Sequence, residues 1–122
     1  MNIQELTQAL CKFRDARNWA QFHSLRQLIV SLNLEAGELL ELTQWKSDDE
    51  IDDLPNDAKT REALRDECAD ILLYLLLIAE KTGIDLEDAA RSKLEKNAQK
   101  YPVAKSYGSR RKYTQLDEPG ED

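Results

Sequence analysis

Nine consecutive apolar residues, 71–79 (ILLYLLLIA), lie inside a longer helical pattern and constrain this chain more than any other feature. A helix that is apolar all round must be covered on every side. Nine residues are about half of what a membrane span needs, so the cover has to be protein. The remaining helices of one chain cannot easily surround such a segment. A homo-oligomer, dimer or tetramer, is therefore expected, with its interface completing the core.

Hydrophobic periodicity gives four helices. The first is capped by Asn2, with Glu5 at capping-box spacing, and aligns Ile3, Leu6, Leu10 and Phe13 on one face. After a break at 18–23, the second carries Leu25, Leu28, Ile29, Leu32, Ala36, Leu39 and Thr43, and is predicted to reach 45–46. Residues 47–59 hold six acids, one Lys and a Pro, which predicts a loop. The third helix, about 60–81, contains the apolar run and stops at Gly83, a favourable residue just past a helix end. Asp85 caps a fourth through Leu86, Ala89, Ala90, Lys93, Leu94 and Asn97, closed by Pro102. The expected fold is all-α, of four-helix-bundle type: a helical domain over 1–102, then a tail over 103–122 without regular structure.

The balance of 24 acids against 17 bases over 122 residues gives a net charge of −7. That argues against a nucleic-acid polymer as partner, which requires clustered cations. Met1 leads into a polar amphipathic stretch with no apolar signal-peptide core, and the two cysteines form no CxxC. An acidic cytoplasmic protein without a membrane partner is expected. The charge is uneven, however. Residues 1–92 carry −9, and residues 93–112 carry +6. An acidic body with a basic segment suits a protein that handles metal ions and phosphates together; it also describes a solvated helix end and tail.

Two carboxylate pairs carry the chemistry. Glu35 and Glu38 on the second helix, and Glu67 and Asp70 on the third, are each spaced i, i+3. Each pair puts two like charges on one helical face, beside the apolar stripe. Half-buried acids of this kind call for a neutralising cation, whereas two ordinary solvated acidic faces are the other reading of the same spacing. If the two helices are antiparallel neighbours, the four carboxylates converge into one all-oxygen cluster suited to Mg²⁺ or Mn²⁺. A di-iron bundle would use Glu-x-x-His pairs, and the sole histidine, His23, lies away from both motifs.

With EAGELLE at 35–41, QWK at 44–46, ECADILLY at 67–74, WAQFH at 19–23, SKLEKNAQKYP at 92–102 and SRRKYTQL at 109–116, the chain resembles the MazG-like all-α nucleoside triphosphate pyrophosphatases, and most closely their dCTP pyrophosphatase branch. The resemblance implies that fold, and Mg²⁺-dependent conversion of a (deoxy)nucleoside triphosphate to monophosphate and pyrophosphate. The substrate it implies is dCTP or a related or modified pyrimidine dNTP, in a housecleaning role for the nucleotide pool. By the same resemblance Glu35, Glu38, Glu67 and Asp70 hold the metal, and Glu38 or Glu41 takes the proton of the attacking water.

A nucleobase needs flat apolar faces, for which Trp19, Trp45 and Tyr74 are candidates. The resemblance adds Phe22 and His23 to that base-binding set. Lys93, Asn97 and Lys100 form one polar ridge on the fourth helix that fits phosphate contacts, and Arg110, Arg111 and Lys112 could close over the phosphates from the tail. One position departs from the dCTP-type pattern: Leu10 stands where those enzymes carry a His. A polar contact to the nucleoside is missing there or supplied elsewhere. A non-catalytic helical module that binds nucleotide or metal for regulation is the alternative reading, and it predicts binding without turnover.

Overall fold

The computed structural model describes residues 1–117, and every regular element among them is helical. Two compact units form, Met1–Ile84 and a second beginning at Asp85, so the expected domain 1–102 spans their boundary.

Capping chemistry sets most helix starts in the first unit. The side-chain oxygen of Asn2 accepts from the Glu5 N–H at 2.8 Å and opens α1 (Ile3–Ala16). A 3-10 turn, Ala20–Phe22, fills the expected break. Ser24 caps α2 (Leu25–Glu41), accepting from the Gln27 N–H at 3.1 Å.

The end of α2 corrects the prediction that it reaches 45–46. The N–H groups of Leu42, Thr43 and Gln44 donate to the carbonyls of Leu39, Leu40 and Glu41, three residues back. This tighter pattern unwinds the α-helix, helped by the Thr43 hydroxyl, which donates to the Leu40 carbonyl at 2.7 Å. Trp45 then takes φ 61°, which ends any helix.

The acidic stretch 47–59 is likewise not a plain loop. Ser47 and Glu50 form a reciprocal capping box that starts α3 (Asp48–Asp52). Asp48, Asp49 and Glu50 occupy its first turn, where the helix dipole favours negative charge. A 3-10 turn, Leu54–Asn56, follows and buries Leu54.

Asp57 caps α4 (Ala58–Thr82), accepting from the Thr60 N–H at 3.0 Å. Gly83 closes α4 at φ 71°, a left-handed conformation that costs glycine little, and the N–H groups of Gly83 and Ile84 return to the Ala79 carbonyl.

Helix α4 is the centre of the first unit. Leu28 near the start of α2 lies beside Leu77 and Lys81 near the end of α4. Leu39 and Leu40, at the end of α2, lie beside Leu64, near the start of α4. The two helices are therefore antiparallel, as the carboxylate argument requires. Helix α1 is tied to α4 by Arg14 Nη1, 3.0 Å from Glu80 Oε2. The apolar run is covered unevenly, with seven of its nine residues buried or half-buried. Leu76, Leu77 and Ala79 are buried, whereas Leu72 and Leu75 are 37% and 36% exposed.

In the second unit Asp85 caps α5 (Leu86–Lys100), accepting from the Asp88 N–H at 3.0 Å. The tail after it is not irregular throughout. Pro102, preset for a helix start, opens the single-turn α6 (Val103–Ser106), and a 3-10 turn spans Tyr113–Gln115. An edge-to-face contact of Tyr101 with Tyr113, a Lys105–Asp117 ion pair at 2.6 Å and burial of Leu116 hold this segment. Residues 118–122 of the expected tail lie outside the described residues. No helix among the described residues is long and apolar enough to cross a membrane.

Candidate functional site

Antiparallel packing of α2 on α4 brings Glu35, Glu38 and Glu67 together, with one carboxylate oxygen of each within 4.8 Å of the others. Glu35 and Glu67 are half-buried, and Glu38 is exposed. Glu35 Oε2 and Glu67 Oε2 are buried without a hydrogen-bond partner. Burial foremost, then contact with the Glu38 and Glu67 carboxyls and the charge of Asp70, pushes the Glu35 carboxyl up to about 7. Burial and the charges of Glu38 and Asp70 raise Glu67 as well, against a lowering contact with Glu35. Three carboxylates in mutual contact offer only acceptors, and two of their oxygens have nothing to accept from. That donor set fits a hard divalent cation.

Asp70 stands outside the triplet, although its charge reaches Glu35 and Glu67. It borders an adjoining pocket lined by Leu10, Phe13 and Arg14 of α1, by Trp19 and His23 of the connection, and by Leu73, Tyr74 and Leu77 of α4. Phe13 meets Trp19 edge to face, with ring centroids 5.7 Å apart. The Arg17 guanidinium lies 3.6 Å above the Phe13 ring and so backs the same aromatic wall. His23 Nδ1 is buried with no partner.

Three of the five expected base-binding residues, Trp19, His23 and Tyr74, thus share one pocket. The other two do not. Phe22 is 64% exposed, and Trp45, turned outward by its left-handed backbone, is 95% exposed. Glu41 is exposed and is not part of the triplet. Lys93, Asn97 and Lys100 all lie on α5 in the second unit, where Lys93 and Lys100 are exposed and Asn97 is half-buried. There Lys100 Nζ stands 5.0 Å from the Tyr113 ring. Arg110 and Lys112 are exposed and Arg111 is half-buried, in the segment before the Tyr113–Gln115 turn.

One charged pocket residue was not in the expected set. Arg14 lies four residues beyond Leu10 on the same face of α1, and its side chain is only 15% exposed. Its Nε donates to Asp15 Oδ1 at 2.8 Å and its Nη1 to Glu80 Oε2 at 3.0 Å. These bonds, that to Asp15 foremost, hold the guanidinium firmly charged and keep the Asp15 carboxyl below the usual carboxylate range. The sequence signal for Arg14 is a cation at helical spacing from an apolar stripe.

The chain belongs to the MazG-like family, whose model matches residues 30–116, a span that includes the Glu-x-x-Glu and Glu-x-x-Asp helices. It is 42% identical over 114 residues to dCTP pyrophosphatase 1 of Mus musculus, covering 93% of this chain and 67% of that protein. Identity to dCTP pyrophosphatase 1 of Homo sapiens is 38% over 114 residues, with the same coverage. The crystal structure of a pyrophosphatase from Archaeoglobus fulgidus matches with a TM-score of 0.76 at 38% identity, covering 81% of this chain and 91% of that one.

Proposed function

We propose that the chain is a Mg²⁺-dependent nucleoside triphosphate pyrophosphohydrolase. In this reading it converts dCTP, or a related or modified pyrimidine dNTP, to the monophosphate and pyrophosphate, and acts in the cytoplasm to clear surplus or modified nucleotides. The observation that supports this most is the convergence of Glu35, Glu38 and Glu67, with two buried unpartnered oxygens, next to an aromatic pocket reached through Asp70.

Glu35, Glu38, Glu67 and Asp70 would hold the metal. When bound, the ion supplies charge neutralisation for the phosphate oxygens and lowers the pKa of a coordinated water. Glu38, the exposed member of the triplet, takes the proton of the attacking water, a role its position favours over the outlying Glu41. The water oxygen bonds to phosphorus at the α–β bridge, the bridging P–O bond breaks, and pyrophosphate departs with the bond's electron pair. Trp19 and Tyr74 flank the base, and His23 offers it a polar contact. Lys93, Asn97 and Lys100, with Arg110 and Lys112, all of the second unit, carry the cationic and amide donors that suit phosphate oxygens.

The reading includes a homo-oligomer. Ile29, Val30, Leu34 and Leu40 on α2, with Leu72 and Leu75 on α4, are exposed on one chain, and a second copy would cover them. The deciding experiment incubates the protein with each dNTP, dUTP and 5-modified dCTP, with and without Mg²⁺. Monophosphate and pyrophosphate in equal amounts, only with metal, is the expected result. Orthophosphate as product, or no turnover of any substrate, overturns it.

A further inference from the structure

We propose that Arg14 is the residue that reads the base, and that it selects cytosine. The inference rests on the nucleoside pocket described above and assigns that pocket its specificity.

Most of the pocket wall is apolar or aromatic, and Arg14 is the one arginine or lysine among its lining residues. A mostly buried guanidinium carries five N–H donors in a fixed planar fork. Among the described residues two of them are committed, Nε to Asp15 and one hydrogen of Nη1 to Glu80. The remaining three make no hydrogen bond among the described residues, and none of them is a fully buried orphan, so they stay available to a ligand. The two anions fix the plane of the guanidinium, whose Nη1–Nη2 edge is the one that can offer an N–H of each nitrogen side by side to a ligand. Glu80 thus acts as a positioning residue.

The chemistry of that open edge discriminates among pyrimidines. Cytosine presents two adjacent acceptors, O2 and N3, to a pair of parallel N–H donors. Uracil and thymine carry a hydrogen on N3, so the same fork would meet a donor there and lose one bond. A site built to hydrogen-bond one pattern rejects the other strongly, because the mismatch leaves buried polar groups facing each other. Leu10, one turn before Arg14, is apolar and cannot compete for this role. His23 Nδ1, buried and unpartnered on the same pocket, is the second polar group available to the ring.

The test uses the full chain with Mg²⁺ and measures kcat/KM for dCTP and dUTP in the wild type, Arg14→Lys and Arg14→Gln. The lysine variant keeps a cation for Glu80 and so keeps the fold; it lacks the fork. We expect the dCTP/dUTP ratio to fall at least about fivefold in both variants, chiefly through dCTP, with melting temperatures reported alongside. An unchanged ratio in folded Arg14→Lys overturns the assignment, as does a wild type that does not prefer dCTP. Calorimetric titration with dCMP and dUMP separates this inference from the activity. A wild type that turns over no dNTP, yet binds dCMP over dUMP through Arg14, refutes the proposed reaction and upholds Arg14. No preference for dCMP, or one that survives Arg14→Lys, refutes Arg14 alone.

Discussion

Glu35 on α2 and Glu67 on α4 face each other across the helix pair, each with its Oε2 buried and without a hydrogen-bond partner. Their apposition works against folding of the metal-free chain, since burial raises both carboxyls and the charges of Glu38 and Asp70 add to the effect. Replacing either by its amide removes a repelling charge and supplies a donor at nearly constant shape. Glu67→Gln is therefore expected to melt at or above the wild-type temperature in EDTA. With Mg²⁺ it should lose the metal-induced rise in melting temperature, and turnover should fall on the order of 100-fold or more. Thermal scans with and without Mg²⁺, paired with pyrophosphate release, check both halves.

The apolar run on α4 has two differently placed sides. Leu76 is 1% exposed, so Leu76→Ala should cost about 2–5 kcal/mol in urea unfolding through lost transfer energy and a residual cavity. Leu72, 37% exposed on one chain, should cost far less in the folding of that chain. Leu72→Ala should instead lower the assembly mass seen by light scattering at dilute protein. A large folding penalty with unchanged mass would place Leu72 in the monomer's own core.

These sites differ in how far the sequence announces them. Asn2, Asp85 and Gly83 act on backbone groups within a turn of themselves, so their roles are legible from local spacing. The Glu35–Glu38 and Glu67–Asp70 spacings put each pair on one face, and antiparallel packing of α2 on α4 joins Glu35, Glu38 and Glu67; spacing did not show that Asp70 stays outside this triplet and borders the pocket. Trp45 was not legible in the same way. Its outward turn follows from competition between i−3 and i−4 hydrogen bonding after Leu39, which leaves no hydrophobic signature. The box at Ser47 was hidden by the acids around it, which imitate a solvated loop. Arg14 is the hardest case: a charge beside an apolar stripe ordinarily reaches solvent, and it is drawn inward by Glu80, 66 residues away in sequence.

Gly83 offers a clean measure of backbone conformation. A Cβ built there meets nothing within 4 Å, so Gly83→Ala introduces no clash with neighbours. Its cost arises only from holding an L-residue at φ 71°, about 1–2 kcal/mol. Chemical denaturation should show that loss with an unchanged denaturant slope, and no change in the affinity for Mg²⁺.

The raised carboxyl of Glu35 predicts a pH dependence that reverses when metal is added. In the folded, metal-free chain this group titrates at about 7, against an ordinary value of 4.5. Between those values the folded state binds more protons than the unfolded one, so stability decreases as pH rises. The Glu35 contribution is fully present below 4.5 and is lost as pH passes through about 7. The melting temperature of the wild type relative to Glu35→Gln, both in EDTA, should therefore fall from pH 5 to pH 8. Mg²⁺ competes for the same oxygens and requires them deprotonated. Its affinity should rise over the same interval, and saturating Mg²⁺ should stabilise the wild type most at the alkaline end. Melting curves at matched ionic strength, with and without the ion, resolve the two slopes. A wild-type-minus-Glu35→Gln difference that is flat in EDTA would mean that Glu35 is already ionised in the empty cluster, the protons that relieve the repulsion sitting on neighbouring carboxyls instead.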